Sequence, residues 1–555
     1  MRPQGNANPK TLDGCTVTTT WKERALRFLG RYPKLAEWDW KWRLRKVPLG
    51  KGSVQFLAAR LAAWVEEAFP LVEEAPRDRG KDVVLFTLHD TWLLHNSLLA
   101  IALAGRGHRV TLLFWPYRDW FTPISDYALW QREAYLRHIL RPLTRIVEVR
   151  SLLREPPGTY PPDLEPALEE VDAFDMQYAL QREEVAGDHP LWRVRRARNR
   201  DAARRLWRFL TQRRPQALLV PNGLILEFGV AYHVGRRLGM PVMTFEFDEQ
   251  KDYMWLSQQD PVMRLNVDDL WARYRHQPLT PEEAARIRRA MEDRWQGRVW
   301  ERSQRQWQDV PPQGSLEVAR KLGLDPKRPL FLLTPNVFGD SVVLGAQVFT
   351  RGLTDWVKRT LDFFARHPEA QLVIRVHPGE KLLDPQGLSM AQVVREAWPP
   401  GAKNIVLIPA DAPINTFDLV PLATAGLVYT STIGMEMVLQ GVPVVVAGRA
   451  FYRGKGFTLD PDTWDAYWDL LRGLLTHPQA FAPTPEQQEL AWRFAYAFFY
   501  RFPRPYPWNL IVLPQLMEHP ERHPARVLRN PLYFPTWDQL VGEPLPWRVP
   551  EPVSA

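Results

Sequence analysis

Three short apolar runs between Gln371 and Thr458 constrain the fold more than any other feature: Gln371–Val376, Gly426–Tyr429 and Val442–Ala447. Each is rich in Val, Leu and Ile, lacks polar alternation and stops at a polar or glycine-containing loop. Such runs are strands covered on both faces, which implies a parallel sheet flanked by helices. In doubly wound sheets of this kind ligands bind outside the carboxyl ends of the strands. The residues just beyond each run are therefore the candidates for chemistry. The first run ends in Arg375, His377 and Pro378, and the second in Ser431, Thr432 and Gly434, with Glu436 in the first turn of a helix.

These residue types suit a phosphate. Thr430, Ser431, Thr432 and Gly434 stand where a strand enters a helix, so hydroxyls, free amides and the positive helix end favour an anion. Arg375 and His377 add donors at the neighbouring strand end, and Pro378 stops that strand. A carboxylate one turn on, Glu436, suits ribose hydroxyls. Each feature also has a plain structural explanation: a His-Pro turn, a Ser-Thr helix cap, a capping-box acid. Their succession at consecutive strand ends points instead to a nucleotide mono- or diphosphate. Asn336 and Asp340, in the loop after Phe331–Thr334, are further candidates for the nucleotide or an acceptor. Asp418 either caps its helix or touches the nucleoside.

The order Arg375-Val-His377-Pro378, Ser431-Thr432-Ile-Gly434-Met-Glu436, Gly441-Val-Pro443 and Gly448-Arg-Ala-Phe451-Tyr452-Arg-Gly-Lys-Gly456 resembles the capsule polysaccharide biosynthesis proteins. That family includes bacterial 3-deoxy-manno-octulosonate (Kdo) transferases of GT-B fold. The His-Pro and Ser-Thr elements are also similar to those of bacterial sialyltransferases. The resemblance runs from about Leu330 to Thr458, is weaker over Lys81–Glu249 and is absent at both ends. It implies that His377, Ser431 and Thr432 hold the donor phosphate and Glu436 the nucleoside. Asn222-Gly223 resembles an Asn-Gly of the family and Glu246 the acid of a Glu-x-Gly motif, although Phe247 and Asp248 depart from that pattern.

The remaining chain reads as a second α/β half with extensions. A length of 555 residues is too great for one core. Asp82–Leu88, helix Trp92–Ala104 and His108–Phe114 open a doubly wound domain, and no GxGxxG follows its first strand, which argues against a dinucleotide cofactor. Its strand ends carry Asp90 and Glu246, carboxylates placed as acid/base candidates. Leu191–Arg214 is dense in arginine; a solvated face is the default reading and an acidic-acceptor groove the sharper one. The expected domains are a basic, Trp-rich helical extension (1–80), an acceptor domain (81–325), a donor domain (326–480), and a crossover helix with a Pro-rich tail (481–555), of which Arg522–Ala555 is expected to wrap the surface without a core. The two Rossmann-like domains are expected to face a cleft, as the GT-B resemblance implies.

Charge and cysteine content bound the partners. The single Cys15 excludes a disulfide framework and a cysteine-based zinc site. Met1–Thr20 lacks an apolar signal core, so a cytoplasmic protein is expected. A net charge of +9 would suit nucleic acid, but an anionic membrane or phosphorylated glycolipid fits equally well, and nucleic acid is not the expected partner. Trp21–Lys51 interleaves tryptophan with Lys and Arg; it is either a surface for the inner membrane face or an extension packed by its tryptophans.

Together these readings predict transfer of a sugar from a nucleotide-activated donor, first CMP-Kdo or a related CMP-sugar, to a polysaccharide or glycolipid. Neither metal nor cofactor is expected, since Arg375, His377, Ser431 and Thr432 can stabilise a leaving phosphate. Asp90 or Glu246 would take the acceptor proton. Arg449, Arg453 and Lys455 either pair with the sugar's carboxylate or are surface charges. The alternatives are a CDP-glycerol or CDP-ribitol phosphotransferase, a sugar-nucleotide epimerase, and a non-catalytic polysaccharide- or lipid-binding scaffold.

Overall fold

Strands buried on both faces build two separate sheets in the computed structural model, which describes residues 21–44, 49, 52–298, 310–382, 387–509 and 513–549. The chain divides into two units. The first takes the described parts of Met1–Asp175, Ala186–Met263 and Arg504–Leu545, and the second those of Met176–Val185, Arg264–Pro503 and Pro546–Ala555.

In the first unit, β1 (Asp82–Leu88), β2 (Arg109–Trp115), β3 (Glu148–Ser151), β4 (Ala217–Pro221) and β5 (Val242–Phe247) are parallel. Their order is β3-β2-β1-β4-β5, and β6 (Tyr253–Ser257) extends the sheet antiparallel. Helix Asp90–Gly105 connects β1 to β2 and is buried over most of its length, because the sheet lies on one side and helix Ser53–Glu73 on the other.

In the second unit, β7 (Leu330–Thr334), β8 (Gln371–Arg375), β9 (Ile405–Ile408), β10 (Ala425–Val428) and β11 (Val444–Val446) are all parallel, in the order β11-β10-β7-β8-β9. The three sequence runs thus fall on β8, β10 and β11. Helix Leu353–Ala365 drives Trp356, Leu361 and Phe364 into the core against Tyr467, whose hydroxyl accepts the Trp356 indole N–H at 3.0 Å. The free amides at that helix's start are capped by Glu183, at 2.5 Å to Leu353 and 2.7 Å to Thr354.

Four features differ from the sequence-based expectation. The boundary near residues 323–328 lies instead at Met263–Arg264. Helices Pro281–Trp295 and Ser315–Leu322 join the second unit because Glu436, Asn415 and Asp418 bind the side chains or backbone of 294–295, 310 and 313–314. The expected helix at Asn415–Leu422 is two 3-10 turns, Thr416–Asp418 and Val420–Leu422, the second containing Pro421. Asp418 therefore caps rather than reaching a ligand: it accepts the Gln313 and Gly314 amides at 2.8 and 3.1 Å.

The Pro-rich tail is the fourth. Rather than running over the surface without a core, it returns to the first unit and supplies β12 (Arg504–Pro505), antiparallel to β6. Tyr506, Trp508 and Trp537 are fully buried there. Tyr506 Oη meets His95 Nε2 at 2.7 Å, while His95 Nδ1 lies 3.1 Å from Asn96 Oδ1. The Asn96 oxygen selects the Nδ1–H tautomer, so Tyr506 is the donor to Nε2. Removing that hydroxyl leaves a buried acceptor unsatisfied. Tyr506→Phe is expected to cost the first unit about 1–3 kcal/mol, read as a lowered urea midpoint; an unchanged midpoint would show that this bond does not hold the tail.

Candidate functional site

The second unit's strand order reverses at its first strand: β8 and β9 lie to one side of β7, and β10 and β11 to the other. Connections leaving β7 and β10 diverge there and open a crevice beyond their carboxyl ends. Val428 is paired with Thr334. Just beyond lie Asn336, Thr430, Ser431 and Thr432. Asn336 Oδ1 accepts the Thr430 amide at 3.0 Å and so pins the two exit loops together. The hydroxyls of Thr334 and Thr430 are buried, each residue 5% exposed, and neither has a hydrogen-bond partner. A buried hydroxyl without a partner costs free energy, so two at the exits of adjacent strands at a switch point mark a place for a ligand's oxygens.

The loop that follows is shaped by contact. Tyr452 Oη donates to the Ser431 carbonyl at 2.5 Å. A Cβ on Gly434 would stand 2.3 Å from that Oη and 2.9 Å from Val428 Cγ2. Only glycine lets Tyr452 close on the loop, so Gly434 shapes the crevice without offering a side chain. The helix it opens, Ile433–Leu439, has only seven residues. The hydroxyls, rather than a helix dipole, are the main anion donors.

At the adjacent strand end, Arg375 is buried and most of its donors are committed. Its guanidinium binds the Pro409 carbonyl and those of Ala412 and Ile414, the latter two at 3.4 and 3.2 Å, bracing the loop after β9. Burial lowers its pKa to about 10, with Asp411 opposing the shift. Nε alone has no protein partner. His377 Nδ1 accepts the Gly379 amide at 3.0 Å, so a neutral ring carries its proton on Nε2. Pro378 opens the 3-10 turn Pro378–Leu382 and ends the strand path. Glu380 accepts from Ser389 Oγ at 2.5 Å and from the Met390 amide at 3.2 Å, tying this turn to helix Met390–Glu396.

Glu436 is occupied. It is 1% exposed; Arg294 Nη2 donates to it at 2.7 Å and Trp295 Nε1 at 3.2 Å. Its carboxylate anchors helix Pro281–Trp295, a role that the distance in sequence concealed. The three cations proposed for a sugar carboxylate separate. Arg453 donates to the Val446 and Pro461 carbonyls, both at 2.6 Å, and to Asp462. Lys455 pairs with Asp268. Arg449 is exposed.

The first unit has its own switch point between β1 and β4. His89, Asn222 and Leu226, just beyond these strands, hold φ of 62°, 59° and 58°, conformations that non-glycine residues adopt only when surroundings impose them. A buried ionic seam lies beside them, and its Asp175 accepts the Leu226 amide. The Arg-rich helix Pro190–Arg213 is not a merely solvated face: Arg195, fully buried, binds Asp175 at 3.0 Å, Asn199 at 3.0 Å and Glu227 at 3.2 Å. Burial raises the Asp175 pKa to about 6 despite Arg195. Asp90 is held by the buried Arg132, which also binds the Pro116 carbonyl. Glu246 accepts from Asn222 Nδ2 at 3.3 Å and the Phe247 amide at 3.1 Å, and burial raises its pKa.

Among the described residues no group of three or more His, Cys, Asp or Glu side chains is placed to hold a metal ion. Thr334 was missed in the sequence because it reads as the last residue of an apolar strand; only its pairing with Val428 sets it beside the loop carrying Thr430.

Residues 263–472 match the family model described as Capsule polysaccharide biosynthesis protein. No curated protein matches. Among solved structures the chain is similar to the Thermosulfurimonas dismutans KpsC beta Kdo 2,4 transferase, at 18% identity over 54% of this chain and 87% of that one, TM-score 0.35. It is similar to the KpsC beta Kdo 2,7 transferase of the same organism at 14% identity over 52% and 79%, TM-score 0.30. It is also similar to the S. aureus MnaA–UDP co-structure at 9% identity over 75% and 94%, TM-score 0.27. Similarity at this level says nothing of a shared reaction.

Two predictions follow the geometry. Arg294→Met leaves Glu436 buried and unpaired, and is expected to cost about 3–5 kcal/mol by urea unfolding, most of it recovered when Glu436→Leu is added. A single variant as stable as the wild type would contradict the pairing. Separately, burial holds His89 and His95 neutral, their pKa values lowered from 6.5 to about 3. Below about pH 6.5 these two side chains therefore bind more protons in the unfolded chain than in the folded one, an effect that Asp175, its pKa raised to about 6, partly opposes at lower pH. Stability is full above that pH and falls as pH drops toward about 3, by up to about 1.4 kcal/mol per pH unit for each histidine. A urea midpoint for the first unit that stays flat from about pH 7 to 5 would contradict this.

Proposed function

With residues 263–472 belonging to the capsule polysaccharide biosynthesis protein family, we propose that the chain is a glycosyltransferase that takes a sugar from a nucleotide-activated donor. The observation that carries this reading is the pair of partnerless buried hydroxyls, Thr334 and Thr430, at the switch point of the second unit's sheet. They offer donors to phosphate oxygens at the position where doubly wound sheets take nucleotides. Ser431 and Thr432 extend this donor set, and His377 supplies an N–H at the next strand end. Arg375 contributes its positive charge and Nε, its other donors being engaged with backbone. These groups stabilise the charge that gathers on the departing phosphate, without calling for a metal.

The first donor to test is CMP-Kdo or a related CMP-sugar, and the acceptor a surface polysaccharide or glycolipid. Of the two carboxylates considered for the acceptor proton, Glu246 has the better chemistry. Its raised pKa brings it nearer the working range of a base, whereas Arg132 holds Asp90 as a paired anion. Arg449, exposed and without an ion pair among the described residues, is the cation best suited to a donor-sugar carboxylate. A CDP-glycerol or CDP-ribitol phosphotransferase would use the same phosphate donors. A polysaccharide- or lipid-binding scaffold would use none of them.

Thermal-shift titration with CMP, CDP, UDP and GDP tests this. CMP is expected to raise the melting temperature. The double variant Thr334→Val with Thr430→Val is expected to keep the unliganded melting temperature while weakening CMP roughly tenfold or more, since each hydroxyl forms a charge-assisted bond. Preference for CDP would move the reaction to polyol-phosphate transfer, and preference for UDP or GDP would discard the CMP-sugar. No shift with any nucleotide would overturn the reading. Transfer that survives EDTA would support metal independence, and its loss would refute that part.

A further inference from the structure

The described residues expose ten large apolar side chains, and six lie between residues 21 and 42. They are Trp21 (82% exposed), Phe28, Tyr32, Leu35, Trp38 (59%) and Trp42 (74%). Helices Trp21–Leu29 and Pro33–Asp39, the latter continuing as a π-helical turn over Trp40–Leu44, carry them. The sequence left two readings of this stretch, a membrane surface and a packed extension, and only part of it is packed. One face is packed on the first unit. Ala36 and Trp40 are buried, Trp40 lies 6.1 Å from the Tyr135 ring and 5.4 Å from His138, and Asp39 accepts from Tyr127 at 3.0 Å and Gln131 at 2.7 Å. The opposite face has no such cover. Trp38 and Trp42, one turn apart, stack on each other at 5.6 Å and 7° and face solvent together with Leu35.

Cations surround this ridge. The sequence from Trp21 to Leu44 holds seven Lys and Arg against three Asp and Glu. Arg31, Lys34, Lys41 and Arg43 are exposed; Lys41 pairs with Glu37, which also meets Arg137 and Arg154, and Arg43 pairs with Asp39, whereas Arg31 and Lys34 make no ion pair among the described residues. A protein partner would have to desolvate lysines, which interface cores avoid. A bilayer makes no such demand: tryptophan seats at the headgroup level, aliphatic stems reach past it, and ammonium and guanidinium groups stay among anionic phosphates.

We propose that this anchored aromatic–cationic ridge docks the protein on an anionic phospholipid bilayer, with Leu35, Trp38 and Trp42 entering the headgroup region and Arg31 and Lys34 meeting lipid phosphates. The inference stands apart from the nucleotide reading, though a glycolipid acceptor would be met at such a surface.

Co-sedimentation of the full chain with phosphatidylcholine vesicles, with and without phosphatidylglycerol, tests it. Binding is expected only with the anionic lipid and should weaken with salt. It should fall roughly tenfold in Trp38→Ser with Trp42→Ser, and comparably in Arg31→Glu with Lys34→Glu. Both pairs are exposed, so melting temperature and CMP binding should stay at wild-type values; their retention shows that lost sedimentation is not unfolding. Wild-type protein that ignores anionic vesicles would overturn the proposal, as would tryptophan variants that bind them equally well. Retention by soluble dextran sulfate without vesicle binding would also overturn it, in favour of a polysaccharide surface. Failure of the vesicle test with an intact CMP shift leaves the nucleotide reading standing.

Discussion

The parallel pairing of β7 with β10 is the constraint on which the rest of the candidate site depends. Val428 lies opposite Thr334 in that ladder, so both strands end level and their exit loops leave in divergent directions. The pairing is stable because both strands are buried on both faces, with Phe331, Leu333, Ala425 and Leu427 in one core that also holds Trp356 and Tyr467. The same burial removes water from the strand ends. Two threonine hydroxyls that would be unremarkable on a surface become costly there, and a bound anion would relieve that cost.

Around this crevice, the most chemically suggestive side chains are largely spent on architecture. Arg375 braces the loop after β9, Glu436 holds helix Pro281–Trp295, and Arg453 and Lys455 fasten the segment beyond β11. That division of labour is sensible energetically. A buried charge must be paired, and a charge already paired within the protein offers little new to a ligand. The Thr334 and Thr430 hydroxyls and the Arg375 Nε have no partner among the described residues and are better placed to respond to a ligand's oxygens.

Legibility in the sequence followed the range of the interactions. The runs on β8, β10 and β11 were readable because burial on both faces leaves a continuous apolar signature, and Gly434 could be placed at a strand-to-helix turn. The boundary was not readable: Arg294 and Glu436 are paired across 142 positions, and nothing local distinguishes such an arginine from a solvated one. The same holds for Arg195 within its charged helix. Proline content suggested a coreless tail, yet Tyr506, Trp508 and Trp537 outweigh it by burying large rings against the first unit. In Trp21–Leu44 the reading of an extension packed by its tryptophans holds only in part, since Trp40 alone of the four turns inward.

Hydrogen–deuterium exchange with and without CMP would test the central claim, that the β7/β10 switch point is the nucleotide site, most directly. Slowed exchange should concentrate in peptides covering Thr334–Phe338, His377–Glu380 and Tyr429–Glu436, with the first unit unchanged. Protection confined to the first unit, or none at saturating CMP, would contradict the claim.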